Sequence, residues 1–258
     1  RAVQKGCLDV RRPACLSVPE PFIQYELDGR VATIRIDDGK RNALSHGVLR
    51  ELHHAFKRAE ADHASVILTG REDVFSAGFD LNVMKRGNAD TLNMLRLGYS
   101  LPARVLAHPY PVIAACNGHV FAMGVFLMLS ADHVIGSRGG YRISANEVAI
   151  GLTMPRVAAA MLRHRLDPAA YQRAVTVSAA FDPESALDAG LFDELAEVED
   201  LQVRAAERAS EFQRLDEEAH RRSKRRIRAA LIRRLRYSLP LDLVDAVATG
   251  FRRRRRAR

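Results

Sequence analysis

The stretch VFSAGFDL, at residues 74–81, decides how this chain folds. It follows a β-branched run at 66–69 and opens a predicted helix. A second stretch, NGHVFAMG at residues 117–124, follows the apolar run at 111–115 in the same way. Two strand-to-helix turns rich in small residues can direct two backbone N–H groups at one point, which is what an oxyanion hole needs.

The pattern around these turns alternates between strands and helices. A hairpin is predicted around Asp28-Gly29, a helix from about Ser45, and short strands at 133–137 and 141–144. Alternation through the first two-thirds predicts an α/β fold, and the last third reads as helical. The expected organisation is a poorly patterned leader (1–20), an α/β core (21–195), a helical C-terminal region (196–250) and an Arg-rich tail (251–258).

Composition narrows the class of protein. The 258 residues are 47% apolar, enough for a sizeable core. Only three cysteines occur, without a CxxC pair, which favours a reducing cytoplasm over a disulfide framework, although Cys7 and Cys15 could form a bridge. The sequence lacks the HExxH zinc motif, the GxSxG nucleophile elbow and the Walker pattern, so no metal site, α/β-hydrolase or P-loop NTPase is expected.

Residues 109–131 have the length of a membrane-spanning helix and contain no Asp, Glu, Lys or Arg. Two prolines and the polar turn at 117–119 interrupt this segment. These interruptions fit a buried strand, a turn and a helix, so no membrane partner is expected.

Positive charge is concentrated at the C-terminus. Residues 214–258 hold 16 Lys or Arg against 5 Asp or Glu, and the chain ends in an arginine run at 252–256. Such a run is typically solvated, and Arg252 to Arg258 are expected to be disordered. Binding of nucleic acid or of acidic lipid through this tail is the alternative interpretation.

Three phrases together resemble the crotonase superfamily, also called the enoyl-CoA hydratase/isomerase family. They are FSAGFDL at 75–81, NGHVFAMGVFLMLSAD at 117–132 and NEVAIGLTMP at 146–155, within a match from about Gln24 to about Arg236. The resemblance implies a spiral of ββα units with a helical C-terminal region that packs against neighbours in a homotrimer or a dimer of trimers. It also implies an acyl-CoA or enoyl-CoA thioester as the substrate, with no separate cofactor.

The resemblance also implies roles for individual residues. The backbone N–H groups of Phe79 and Met123 would form the oxyanion hole, their side chains would line or narrow the pocket, and the helix starting near Met123 would add its positive end. Glu147 aligns with the acid/base glutamate of the family. Its apolar neighbours at 148–150 predict a raised pKa that suits proton exchange near neutral pH.

Phe126 is a departure from the family, because two-glutamate hydratases carry their other glutamate there. An aromatic ring cannot activate water, which favours the isomerase type of proton transfer with one glutamate. The subgroup that this chain resembles most nevertheless carries the hydratase name. A catalytically weak acyl-CoA-binding protein and an RNA-associated protein remain alternatives.

Binding of the CoA thioester is assigned by the same resemblance. The residues expected to line or flank it are Asn42, Ala43, Leu44, Ser76, Ala77, Gly78, Asp80, Leu81, Asn82, Gly124 and Phe126. Lys40, Arg41 or Lys224 could meet a phosphate group, although each also fits an ordinary surface charge.

Overall fold

The computed structural model describes residues 21–256, in which alternating strands and helices are followed by a helical C-terminal region. The strands are β1 (Ile23–Asp28), β2 (Val31–Ile36), β3 (Ala43–Leu44), β4 (Ser65–Thr69), β5 (Val74–Ser76), β6 (Gly78–Phe79), β7 (Val112–Cys116), β8 (His119–Phe121), β9 (His133–Ser137), β10 (Ile143–Ser144) and β11 (Glu194–Ala196). The helices are α1 (His46–Ala61), α2 (Leu81–Arg86), α3 (Ala89–Leu106), α4 (Met123–Met128), α5 (Arg156–Arg165), α6 (Pro168–Val177), α7 (Pro183–Asp188), α8 (Leu201–Phe212) and α9 (Glu217–Arg256).

One unit recurs along the chain: a strand of the largest sheet, a short strand of a smaller sheet, and then a helix. The units are β2–β3–α1, β4–β5–β6–α2, β7–β8–α4 and β9–β10–α5. The largest sheet has the order β1-β2-β4-β7-β9-β11, with only β1 antiparallel, while β10-β8-β5 and β3-β6 form the smaller sheets. This succession is the expected α/β spiral of ββα units.

The central strands of the largest sheet are buried on both faces, which explains their continuous apolar runs. Along β4, Val66 and Leu68 face the main core, whereas Ile67 faces a second, smaller core. That second core is closed by Leu201 and Ala205 of α8. Because side chains alternate along a strand, one strand can serve both cores.

Local signals place several element ends where the sequence predicts them. β1 and β2 form the expected hairpin around Asp28-Gly29. Ser45 caps α1 by accepting the N–H of Val48 at 3.3 Å, and the side chains of Asp167 and Asp182 cap α6 and α7. Each cap satisfies an N–H group that has no partner inside its helix.

The long helix α9 packs against α3 and α5 of its own chain. Leu235 is fully buried there, and Leu231, Leu239 and Leu243 pack against the main core. The expected role of this region in oligomerisation stays a prediction.

The structure agrees with one expectation about an apolar segment and corrects another about a charged one. The segment 109–131 supplies β7, β8 and the whole of α4, and among residues 21–256 no helix has the length and apolar character that a membrane span requires. The backbone of α9 is helical through Arg256, so the expected disorder of Arg252 to Arg256 is wrong; arginine is a good helix former. Cys7, Cys15 and the rest of the leader, together with residues 257–258, lie outside the described residues.

Candidate active site

The first turn brings Phe79 to the start of α2. Gly78 has a positive φ of +84°, a conformation that a residue with a side chain rarely adopts. The strand that contains Phe79 then pairs with β3, where Leu44 lies opposite Phe79. Asp80 accepts the N–H of Asn82 at 2.8 Å and caps α2. The backbone at Phe79 is therefore held between a strand pairing and a helix cap.

The second turn contains a strained residue. Ala122 has φ 48° and ψ −121°, a region that costs about 1–3 kcal/mol for a residue other than glycine. Its N–H donates to the carbonyl of Ser144 at 2.9 Å, and its own carbonyl accepts the N–H of Val125 at 2.9 Å. Met123 is the first residue of α4, where a backbone N–H has no carbonyl partner within the helix. The N–H of Met123 is therefore one that the helix itself does not use, and its role as an oxyanion donor stays a prediction.

The two turns are in contact. An ideal Cβ on Gly78 would lie 2.8 Å from the Cβ of Ala122 and 3.3 Å from the backbone nitrogen of Met123. A Cβ on Gly124 would lie 2.9 Å from the Cβ of Ser76. Phe79 and Met123 are consequently neighbours across the contact, in the arrangement that could aim two N–H groups at one oxygen. Because α4 has only six residues, its dipole is short, and the individual N–H groups at its start are the donors that the turn can offer.

Glu147 begins the turn at 147–151 and its side chain is 6% exposed. The turn is closed by the carbonyl of Glu147, which accepts the N–H of Leu152 at 2.8 Å. It is fixed to the end of α6 because Ala149 donates its N–H to Ser178 Oγ at 3.0 Å. Burial raises the pKa of the Glu147 carboxyl from 4.5 to about 7.

The carboxyl of Glu147 has an unused acceptor. Its Oε2 atom is buried and has no hydrogen-bond partner among the described residues. No neighbouring charge in the described part of the chain contributes to its raised pKa, which results from burial. A buried carboxyl with a pKa about 7 can both accept and return a proton at neutral pH.

Phe126 lies in α4 and is 1% exposed. It belongs to the main core, and its carbonyl accepts the hydroxyl of Ser130 at 2.7 Å. The position therefore holds apolar bulk where a two-glutamate site would need a solvated or paired carboxylate. Met123 is likewise fully buried in the core, so its side chain packs inside the protein while its N–H remains the predicted donor.

The predicted CoA segment lies beside the first turn. The side chain of Asn42 is fully buried and donates to the carbonyls of Ile36 and Phe75 at 2.8 and 3.2 Å. The backbone carbonyl of Asn42 accepts the hydroxyl of Ser76 at 2.9 Å. The side chains of Asn42 and Ser76 therefore join the segment around β3 to the segment around β5. Because these side chains are already bonded within the protein, only backbone groups of the two residues could bind a ligand.

The remaining predicted binding residues differ in accessibility. Ala43 and Ala77 are half-buried, Leu44 and Gly124 are buried, and Leu81 and Asn82 are exposed at the start of α2. Lys40 and Arg41 are exposed, which fits both a surface charge and a phosphate contact, and the phosphate contact stays a prediction. Lys224 is different: it is 5% exposed and its Nζ lies 2.6 Å from Asp132 Oδ2, so it is neither a surface charge nor a free phosphate ligand.

Two neighbours of the site, Gly98 and Tyr99 in α3, are absent from the sequence predictions. The ring of Tyr99 meets the ring of Phe79 edge to face, with centroids 5.5 Å apart. Burial, followed by the negative charges of Asp242 and Glu147, raises the pKa of the Tyr99 hydroxyl well above its usual range. The helical pattern of α3 indicates which side is buried but not that this side reaches Glu147, so no local signal identifies Tyr99.

Among residues 21–256, no group of three or more His, Cys, Asp or Glu side chains is placed so that it could hold a metal ion. The sequence profile of the family described as enoyl-CoA hydratase/isomerase matches residues 26–246. This chain belongs to the enoyl-CoA hydratase/isomerase family.

Relatives of known structure share the fold of this family member. The crystal structure of an enoyl-CoA hydratase/isomerase family protein from Pseudomonas syringae is 39% identical, with a TM-score of 0.84 over 86% of this chain and 96% of that chain. Human mitochondrial delta3-delta2-enoyl-CoA isomerase is 27% identical, with a TM-score of 0.85 over 89% of this chain and 92% of that chain. Both the crotonase resemblance and the predicted fold are therefore confirmed.

The names of relatives include both activities of the family. A probable enoyl-CoA hydratase, echA17, from Mycobacterium avium is 33% identical over 190 residues, which cover 72% of this chain and 73% of the relative. The human relative is named as an isomerase. Membership therefore gives the enzyme class, hydratase or isomerase acting on CoA thioesters, and leaves the choice between the two reactions to the chemistry of the site.

Proposed function

We propose that this family member is an enoyl-CoA isomerase in which Glu147 is the sole proton carrier. The observation that carries the proposal is the pairing of a buried carboxyl, whose pKa is raised to about 7, with an apolar ring at position 126. One carboxyl poised near neutral pH suits a reaction that takes one proton and returns it.

The proposed reaction starts from a 3-enoyl-CoA. The Glu147 carboxylate removes a proton from C2, and the C–H electron pair forms the C1=C2 bond of a dienolate. The negative charge moves to the thioester oxygen, where the N–H groups of Phe79 and Met123 stabilise it. The thioester carbonyl then re-forms, and the electron pair of C1=C2 becomes the new C2=C3 bond. The electron pair of C3=C4 takes the proton from the Glu147 carboxyl, so that the proton ends on C4. The product is the 2-enoyl-CoA, and no atom is gained or lost.

Hydration would need more than this site offers. Water must be held and deprotonated as it attacks C3, while a second group supplies a proton to C2. Phe126 offers neither an acceptor nor a proton, because its ring is apolar and packed in the core. The isomerase name of the human relative is consistent with the same choice. There are two alternatives: hydration, which is the activity in the names of other relatives, and binding of acyl-CoA with only weak catalysis.

The decisive experiment measures 3-enoyl-CoA isomerisation and 2-enoyl-CoA hydration with the same preparation. Isomerisation should exceed hydration, and Glu147→Gln should lower isomerisation on the order of 10²–10⁴-fold while CoA-thioester affinity is retained. Glu199→Gln, at an exposed glutamate, is the matched control and should be silent. Brisk hydration with weak isomerisation, or normal turnover of Glu147→Gln, would contradict the proposal.

We also infer a homotrimer assembled through α9. Tyr237, Leu241 and Val244 lie on one face of that helix and are 77%, 52% and 65% exposed in the single chain. Exposed apolar side chains in a row favour burial against another subunit. Light scattering should give three chains, or six for a dimer of trimers, and Leu241→Glu should shift the mass toward the monomer. A wild-type monomer at micromolar concentration would contradict this assembly.

A further inference from the structure

The ring of Phe79 occupies a slot on α3 that exists only because residue 98 is glycine. An ideal Cβ on Gly98 would lie 2.3 Å from Cε1 and 2.4 Å from Cζ of Phe79. No real Cβ contact is that short, so either the ring or the helix would have to move. Gly98 and Phe79 are therefore fitted to each other.

A second contact fixes the orientation of the ring. Tyr99, the next residue along α3, meets Phe79 edge to face at an interplanar angle of 82°. Edge-to-face pairs of this kind are favourable beyond the area that they bury. Tyr99 is 7% exposed, so it has little freedom to turn away. Two consecutive residues of α3 therefore confine the Phe79 ring: it packs on Gly98 and against the ring of Tyr99.

The position of this ring relative to the proposed reaction follows from covalent geometry. The N–H of Phe79 is the proposed donor to the thioester oxygen, and the side chain leaves the same Cα. The ring therefore starts within a few bond lengths of C1 of the substrate. Tyr99, which packs edge to face against this ring, is within electrostatic reach of Glu147, which would act on C2 and C4. The pair thus borders the first carbons of the acyl chain.

Resting on the proposed function, we propose that Phe79 is the residue that restricts branching of the acyl group next to the thioester. Gly98 is its positioning residue, because it lets the ring lie on α3, beside the first carbons of the acyl chain and not across the thioester. The substrate class is then a linear enoyl-CoA, and a methyl group on C2 would collide with the seated ring.

Binding of saturated thioesters tests this inference without relying on turnover. Calorimetric titration would compare butyryl-CoA with isobutyryl-CoA, which carries the extra methyl group on C2. The wild-type protein should prefer butyryl-CoA at least about tenfold, the discrimination that one methyl-sized group can give in a close-fitting pocket. Phe79→Ala should reduce the preference to about threefold or less. Phe212→Ala is the matched control, since that half-buried ring meets His133 edge to face at 5.8 Å and does not belong to this site.

The fit between the two residues is tested by a double-mutant cycle. Gly98→Ala should displace the Phe79 ring into the site and lower kcat/KM for isomerisation at least about tenfold. In the double variant Phe79→Ala/Gly98→Ala the ring is gone, so kcat/KM should return to within about threefold of Phe79→Ala alone. A thermal melt of each variant shows whether it is folded. If Gly98→Ala does not fold, rescue of folding in the double variant supports the same fit.

The outcomes separate this inference from the proposed function. Failure of the wild-type protein to bind either thioester would overturn the proposed function, and this inference with it. Binding of both thioesters with the same preference in wild type and Phe79→Ala would overturn the inference alone. Losses of kcat/KM that simply add in the double variant would remove Gly98 from its positioning role.

Discussion

Asp242 of α9 accepts the backbone N–H of Val157 in the first turn of α5, at 2.9 Å between Oδ2 and the nitrogen. Its other oxygen accepts the N–H of Arg156 at 2.9 Å. Pro155 occupies the N-cap position of α5 and makes no side-chain cap there. The last helix therefore supplies the missing cap, and it fixes the segment that follows the Glu147 turn.

Removal of this carboxylate should destabilise the protein. Asp242 is 5% exposed, so Asp242→Ala would leave two helix N–H groups without an acceptor, at a cost of about 2 kcal/mol in the free energy of unfolding. Asp245→Ala is the control, because Asp245 is 61% exposed and its ion pair with Arg156 should contribute under about 1 kcal/mol. Urea denaturation measures both. Equal effects of the two substitutions would contradict the capping role.

Much of the fold could be predicted because its signals are local. The hairpin at Asp28-Gly29 and the helix starts after Ser45, Asp167 and Asp182 each depend on a few adjacent residues. The cap that Asp242 gives to α5 joins residues 85 positions apart. No pattern within a window of the sequence contains such a pair, so this link could not be predicted.

The candidate site likewise contains features that local sequence predicts and features that depend on distant residues. The turns at Phe79 and Met123 follow from their strands and small residues, whereas the slot between Gly98 and Phe79 requires the packing of two elements. Lys224 stands in a basic run, so the sequence favours a surface charge there. The available signal for its burial is helical spacing. Lys224 precedes Arg228 by four residues and Leu235 by eleven, and all three lie on the inward face of α9.

The buried charges on α9 should depend on Asp132. Lys224 Nζ lies 2.6 Å from Asp132 Oδ2, and Arg228 Nη1 lies 3.0 Å from Oδ1. Asp132→Asn would leave two buried cations without a counter-ion, which typically costs about 3–5 kcal/mol. Chemical denaturation should show this loss, while Glu218→Gln, which breaks only exposed pairs, should change stability by under about 1 kcal/mol. A loss below about 1 kcal/mol for Asp132→Asn would disprove the dependence.

Isomerisation should require the ionised form of Glu147. Since burial raises its pKa to about 7, kcat/KM should rise roughly tenfold per pH unit below that value and level off above it. A pH profile from 5 to 9 with a 3-enoyl-CoA substrate measures this. A flat profile across the range would show that the proton carrier is another group.

The same pKa predicts a stability cost for ionising Glu147. The folded state holds this proton more tightly than the unfolded state, whose carboxyl titrates near 4.5, so wild-type stability should fall as pH rises from about 4.5 to about 7. Glu147→Gln does not titrate, and it should be more stable than wild type above pH 7 by roughly 3 kcal/mol, with the difference vanishing at low pH. Denaturation of both proteins at pH 5 and pH 8 tests this. A difference that does not change with pH would show that the Glu147 pKa is not raised.

Phe126→Glu tests whether one missing carboxylate decides between isomerisation and hydration. The substitution restores the second glutamate of the two-glutamate hydratases, so hydration of crotonyl-CoA should rise, by at least about tenfold at pH 8. Phe126 is 1% exposed, and a carboxyl buried there without a partner would have a raised pKa, which is why the gain should require alkaline conditions.

Phe126→Gln is the matched control for that substitution. It has nearly the same shape as the glutamate but cannot take a proton from water, and it should leave hydration unchanged. Both variants lose the packing of a buried ring, a destabilisation of about 3–5 kcal/mol, so rates must be normalised to the folded fraction measured by circular dichroism. Equal hydration by the two variants would mean that the reaction is decided elsewhere than at position 126. A rise confined to the glutamate variant would assign the choice of reaction to that single side chain.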